Sequence, residues 1–106
     1  EMMAFVGELA AAGRRLAMLS NIPLELADHV ERNWEWLSLF ELWAFSCHIG
    51  LAKPEPGAYA WCLAKLDLPP ERVRFIGDRE QNVAAARDAG MHVHHFTSLA
   101  SLRSAL

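Results

Sequence analysis

Four side chains in this sequence follow short apolar runs and together carry the chemistry of phosphate recognition. Ser20 and Asn21 follow the run RLAML (15–19), Lys53 lies in the loop after WAFSC (43–47), and Asp78 follows VRFI and a glycine (73–77). If the runs are parallel strands of an open α/β sheet, ligands bind outside their carboxyl ends, and these residues share that edge. A serine hydroxyl can donate to a phosphate oxygen. A lysine ammonium is a compact, mobile charge that neutralises phosphate. An aspartate is a hard oxygen ligand of the kind Mg²⁺ takes. A helix beginning near Gln81 would add the positive end of its dipole to the same edge. The set suits a phosphate ester held with a divalent cation, and it contains no nucleophile.

The elements that must position these residues alternate. Met2 to Ala12 has a helical stripe of Met3, Phe5, Val6, Leu9 and Ala10, stopped by Gly13. Arg15–Leu19 is too short for a helix and reads as a strand, closed by the turn residues Ser20-Asn21-Ile22-Pro23. Pro23 opens a helix over Leu24–Asn33. Trp34–Leu42 is aromatic and irregular, Trp43–Cys47 a second strand, and His48–Pro56 a loop. Gly57–Leu66 is a helix expected to bury Tyr59, Trp61 or Cys62, and Leu63. After Leu68-Pro69-Pro70 and a single turn come a strand over Val73–Ile76, a helix over Gln81–Ala89, a strand over Met91–Phe96 and a helix over Leu99–Leu106. Strands alternating with helices imply βαβ units and a parallel sheet.

Composition narrows the classes. Of the 106 residues, 53% are hydrophobic and 22% charged, the balance of a core-forming domain rather than a disordered chain. A net charge of −3 leaves no basic field for nucleic acid or an anionic membrane. No apolar run approaches the roughly 20 residues that cross a bilayer. Cys47 and Cys62 lie in apolar stretches, which predicts buried, reduced thiols and a cytoplasmic setting. A helical pattern already running at Glu1, a residue other than Met, leads us to expect a piece of a longer chain.

Three segments in this order resemble the haloacid dehalogenase superfamily, in the subfamily whose helical cap is inserted early. LAMLSNIP (16–23) resembles its second motif, GLAKPEPGAY (50–59) its third, and VRFIGDREQNVAAARDAG (73–90) its fourth. The resemblance runs from about Met2 to Phe96. It implies a Rossmann-like parallel sheet flanked by helices, a Mg²⁺ cofactor and a small phosphorylated metabolite as substrate. Ser20 would bind the transferring phosphoryl group, with Asn21 beside it. Lys53 would bridge phosphate and nucleophile, Asp78 would ligate Mg²⁺, and Asn82 would buttress the motif. Gly77 stands where other members carry a second aspartate. The family's first motif, Asp-x-Asp, does not occur: Asp28, Asp67, Asp78 and Asp88 are the only aspartates. By resemblance the reaction passes through an aspartyl-phosphate that water hydrolyses, so this chain alone is expected to be inactive. The strand carrying that motif would lie between Arg15–Leu19 and Val73–Ile76. Its absence predicts two unpaired edges, to be filled by a separate N-terminal piece or a second copy.

Plainer readings stand beside these. Ser20 alone is a turn residue, Lys53 alone a solvated loop lysine, and Asp78 alone a helix cap. His92, His94 and His95 have no cysteine or carboxylate at ligand spacing, so a polar face of an edge strand outweighs zinc. Trp34, Trp36, Phe40 and Trp43 are expected to pack around the second strand, with a dimer surface as the alternative. A dehalogenase on the same fold and a non-catalytic α/β binding module are the competing functions.

Overall fold

A computed structural model describes residues 2–106, which divide between Ala52 and Lys53 into two compact units. Both halves are α/β, each with a pair of parallel strands flanked by helices.

In the first half, helix α1 (Met2–Ala11) precedes strand β1 (Ala17–Ser20), helix α2 (Leu24–Asn33), a 3-10 helix (Glu35–Leu39), strand β2 (Leu42–Phe45) and the one-turn helix α3 (Ser46–Ile49). β1 and β2 pair in parallel, with Ala17 opposite Leu42 and Ser20 opposite Phe45. The register is reinforced where the strands enter: Glu41 N–H donates to Leu16 O at 2.8 Å, and Arg15 forks onto the Glu41 carboxylate at 2.6 and 2.9 Å. Both ion-pair partners are exposed, so the pair adds no more than about 1 kcal/mol. The core lies under α2, where Ala27, Val30, Leu37 and Phe45 bury one another against Met18, Ile22 and Trp36. Ala27 and Val30 are three apart on α2, so one helical stripe supplies both.

In the second half, helix α4 (Pro56–Leu66), a 3-10 turn (Pro70–Arg72), strand β3 (Arg74–Gly77), helix α5 (Glu80–Asp88), strand β4 (His92–His95) and helix α6 (Leu99–Ala105) follow in order. β3 and β4 pair in parallel, Arg74 opposite His92 and Gly77 opposite His95. Its buried side chains are Ala58, Tyr59, Asn82, Val83, Ala86, Met91 and Leu102. α5 ends where Gly90 takes a left-handed φ of 93°. The Gly90 and Met91 amides then cap the Arg87 and Ala86 carbonyls at 2.9 and 3.2 Å. Asp67 ends α4 in the same way at φ 55°, a conformation that a short polar side chain tolerates. Ser98 caps α6, its hydroxyl accepting from Ser101 N–H at 3.1 Å.

The two strand pairs are separate two-stranded sheets, so β1 and β3 each keep one edge outside any pairing among the described residues. Several boundaries differ from the sequence reading. β1 begins at Ala17 rather than Arg15. The irregular Trp34–Leu42 segment contains the 3-10 helix. β2 stops at Phe45, because the chain turns into α3 over the last two residues of the expected strand and the first two of the expected loop. That turn carries Cys47 to the surface and Cys62 is only half-buried, so the expected buried thiols are corrected; both are free. α4 buries Ala58 and Tyr59, while Trp61, Cys62 and Leu63 stay half-buried. Of the aromatic group, Trp36 packs on the core, stacked on Trp34 and edge-on to Phe40. Trp34 and Trp43 remain exposed on one side, and the Trp43 indole N–H is satisfied by Leu37 O at 2.9 Å. No helix among the described residues is long and apolar enough to cross a membrane.

Candidate active site

Parallel pairing puts the carboxyl ends of both strands of each half at the same edge, and the candidate residues sit at those ends. In the first half Ser20 closes β1, half-buried, and the exposed Asn21 follows it. The turn behind them is tied to α3: Ile22 N–H donates to Ser46 Oγ at 2.9 Å, and the same hydroxyl donates to Ile22 O at 3.3 Å.

In the second half Lys53, Gly77, Asp78 and Asn82 belong to one unit. Lys53 is half-buried, and the Lys53–Pro54 peptide is cis. Burial pushes the Lys53 ammonium below the usual lysine range, the Asp78 carboxylate pulls it part of the way back, and the Arg79 guanidinium adds to the lowering. Ammonium and carboxylate are thus close enough to feel one another at the end of β3. Asp78 itself is exposed.

The Asp78 turn is braced from several directions. His95 Nε2 lies 3.0 Å from Asp78 O, and His95 Nδ1 lies 3.2 Å from Glu80 Oε2. Both partners are acceptors, so each ring nitrogen of His95 faces an oxygen. Phe96 N–H donates to Gly77 O at 2.7 Å. Asn82 is buried in the first turn of α5, where its amide donates to Arg79 O at 3.1 Å and its carbonyl accepts from Tyr59 Oη–H at 2.9 Å. The Tyr59 ring then meets Phe75 edge-on at 5.5 Å. Gly77 has a steric reason: a Cβ there would lie 2.6 Å from Phe75 Cε2. Phe75 and Gly77 are two apart on one strand and share a face, so the Tyr59-braced ring occupies the space a side chain at 77 would need.

Lys53, Asp78 and their supports Gly77 and Asn82 therefore come together, while Ser20 and Asn21 stand at the strand end of the other unit. Tyr59, Arg79, Glu80 and His95 were not read as site residues. His95 was weighed as a metal ligand, yet no group of three metal-ligating side chains among the described residues includes His92, His94 or His95.

An exposed carboxylate within electrostatic reach of a half-buried lysine, at the carboxyl end of a parallel strand, is an arrangement suited to an anionic ligand held with a cation. Residues 1–90 match the family described as haloacid dehalogenase-like hydrolase, and the chain belongs to that family. It is 34% identical over 74 residues to bifunctional epoxide hydrolase 2 of Rattus norvegicus, a match covering 70% of this chain and 12% of that protein. It is 32% identical over 97 residues to sesquiterpene phosphatase astK of Aspergillus oryzae, covering 91% of this chain and 49% of that one. The chain thus spans half or less of these relatives. Its fold is that of a HAD family enzyme from Bacteroides thetaiotaomicron crystallised with magnesium and inorganic phosphate. That likeness has a TM-score of 0.83 at 21% identity and covers 95% of this chain and 56% of that one.

Proposed function

We propose that this chain is the phosphate- and cation-binding part of a Mg²⁺-dependent phosphomonoesterase whose nucleophilic Asp-x-Asp strand lies outside these 106 residues. The observation that carries the reading is the half-buried Lys53 within electrostatic reach of the exposed Asp78. Lys53, partly desolvated, would hold phosphate oxygens more strongly than a solvated lysine does. The first turn of α5 would add a favourable dipole, and in the other half Ser20 and Asn21 are neutral donors at the end of β1. Asp78 fits Mg²⁺, which is commonly held by one or two carboxylates, waters and substrate phosphate. Bound there, the ion would neutralise charge developing on the phosphoryl group. The brace from Tyr59 through Asn82, and from His95 to Asp78 O, would hold the carboxylate in place during turnover. Turnover would need the nucleophile to be supplied by a separate piece or a second copy. Two free thiols suit a cytoplasmic setting.

The test joins a mass measurement to an assay. Every polypeptide in a purified sample is weighed under denaturing conditions, and p-nitrophenyl phosphate hydrolysis is followed with and without Mg²⁺. The 11.9 kDa chain alone is expected to release no phosphate. A sample that also holds an Asp-x-Asp polypeptide should turn over with Mg²⁺, and Lys53→Ala or Asp78→Asn should lower that rate at least ~100-fold. Turnover by the 11.9 kDa chain alone, or turnover indifferent to Asp78→Asn, refutes the reading. Metal-free halide release would replace it with a dehalogenase.

A further inference from the structure

Away from the strand ends, the first half holds a second group of ligand atoms. Asp28 and Glu31 are three apart on α2 and so share a face. His48 comes from α3. One ligand atom from each of the three lies within 4.8 Å of the other two, with His48 Nδ1 3.9 Å from Glu31 Oε1. Donors bound tetrahedrally to a cation at about 2.0–2.2 Å stand roughly 3.3–3.6 Å apart. The spacing observed needs the donors to close by at most about 1.5 Å, shared between side chains that can rotate.

Two features separate this group from an ordinary solvated acidic face. The third ligand is an imidazole from a different helix, and its helix is tied down. The paired hydrogen bonds between Ser46 Oγ and the Ile22 backbone fix the start of α3 against the turn that opens α2. The Phe45 ring, fully buried in the core, lies 5.9 Å from the His48 ring. The carboxylates also lack a cationic partner of another kind. Among the described residues Glu31 pairs with His48, and the half-buried Asp28 makes no ion pair. Two carboxylates brought together on one helix face repel unless a cation joins them.

We propose that Asp28, Glu31 and His48 bind a divalent transition-metal cation, with Zn²⁺ the ion that best fits the donors. Mg²⁺ takes oxygen ligands, whereas an imidazole beside two carboxylates suits zinc and its first-row neighbours. Three protein ligands leave a coordination position for water, and the ion joins α2 to α3. This site is independent of the phosphatase reading, because it shares no residue with Ser20, Lys53 or Asp78.

Calorimetric titration of the purified chain with Zn²⁺, and Co²⁺ absorption as a probe of coordination, test it. One equivalent is expected to bind at micromolar concentration or below, with Co²⁺ giving visible bands of a low-coordinate nitrogen/oxygen site. His48→Ala and Glu31→Gln should each weaken binding at least ~10-fold, and Asp78→Asn should leave it unchanged. Zn²⁺ should raise the melting temperature of the unsubstituted chain, and not of the two ligand variants. Both variants alter exposed side chains, and circular dichroism without metal identifies those that keep the fold. Absence of one-equivalent binding to the unsubstituted chain overturns the proposal. So does undiminished binding to either variant that retains the unsubstituted spectrum, which would put the metal elsewhere, as on His92–His95.

Discussion

Replacing Gly77 by alanine should destabilise the protein, and should do so only while Phe75 is present. The added Cβ would stand 2.6 Å from Phe75 Cε2 and 3.1 Å from Cζ, inside the closest approach of carbon atoms. The ring cannot simply swing away, because Tyr59 meets it edge-on and Tyr59 is itself held by the Asn82 carbonyl. Overpacking of this kind costs about 1–3 kcal/mol. With an unfolding entropy of about 2.1 cal/mol/K per residue, a chain of this length loses roughly 4–13 °C in melting temperature. Phe75→Leu opens the space, so adding Gly77→Ala to that variant should cost under about 0.5 kcal/mol, a coupling of about 1–2 kcal/mol. Thermal or urea unfolding of the two single variants and the double variant measures the cycle. Equal losses from Gly77→Ala in both backgrounds would show that the ring is not what excludes a side chain from position 77. If the clash is real, Gly77→Asp, which recreates the family's paired aspartates, should be equally harmful with Phe75 and tolerated in the Phe75→Leu background.

Other consequences are open to simpler measurements. Tyr59→Phe removes the donor to Asn82 O but leaves a carbonyl that still faces α5 amides, so the loss should be about 1 kcal/mol; a melting temperature unchanged within about 1 °C would assign that bond no net role. Lys53→Met should raise stability near neutral pH while abolishing phosphate binding. Burial lowers the folded-state Lys53 value, so its charge penalises the native state below that value, and the penalty fades as pH rises through it toward the ordinary lysine range. Melts at neutral and alkaline pH should therefore show the variant's advantage shrinking, and a constant gap would contradict the cause given. Burial pushes the Cys62 thiol up to about 11, while Cys47 is exposed. At about pH 8 Ellman's reagent should label one thiol quickly and the other slowly, and a Cys47→Ser variant should lose the fast phase; two equal rates in the native protein would contradict the burial of Cys62.

The strand ends were legible because they depend on local signals. Short apolar runs closed by Ser20-Asn21 and by Gly77-Asp78 give both the strand and the place where it ends. Pro23, Gly90 and Ser98 each mark a helix end through their own backbone preference or hydroxyl. What the sequence could not give depends on contacts between distant residues. WAFSCHI is hydrophobic almost throughout, so nothing local ends β2 at Phe45; the bonds from Ser46 Oγ to Ile22 bring the chain round into α3. The same turn exposes Cys47 and lays His48 over Asp28 and Glu31. Aromatic residues crowded over 34–43 look alike in a linear reading, yet Trp36 packs inward and Trp43 keeps one side in water. His95 reaches Asp78 O only because β3 and β4 run parallel in one particular register. The reason for glycine at 77 lies in a ring two residues back that Tyr59 holds in place.

The division of strand pairing also bears on how the chain acquires its structure. Each parallel pair closes within its own half, through the crossover containing α2 in one and α5 in the other, and no strand ladder among the described residues spans Ala52. Loop-closure entropy is therefore incurred twice over short stretches rather than once over a long one. Such local closure favours rapid formation, and each half can nucleate on its own strands and helix. Native-state hydrogen exchange should then resolve two cooperative opening units, one protecting the amides of β1 and β2 and the other those of β3 and β4, each responding to denaturant with its own slope.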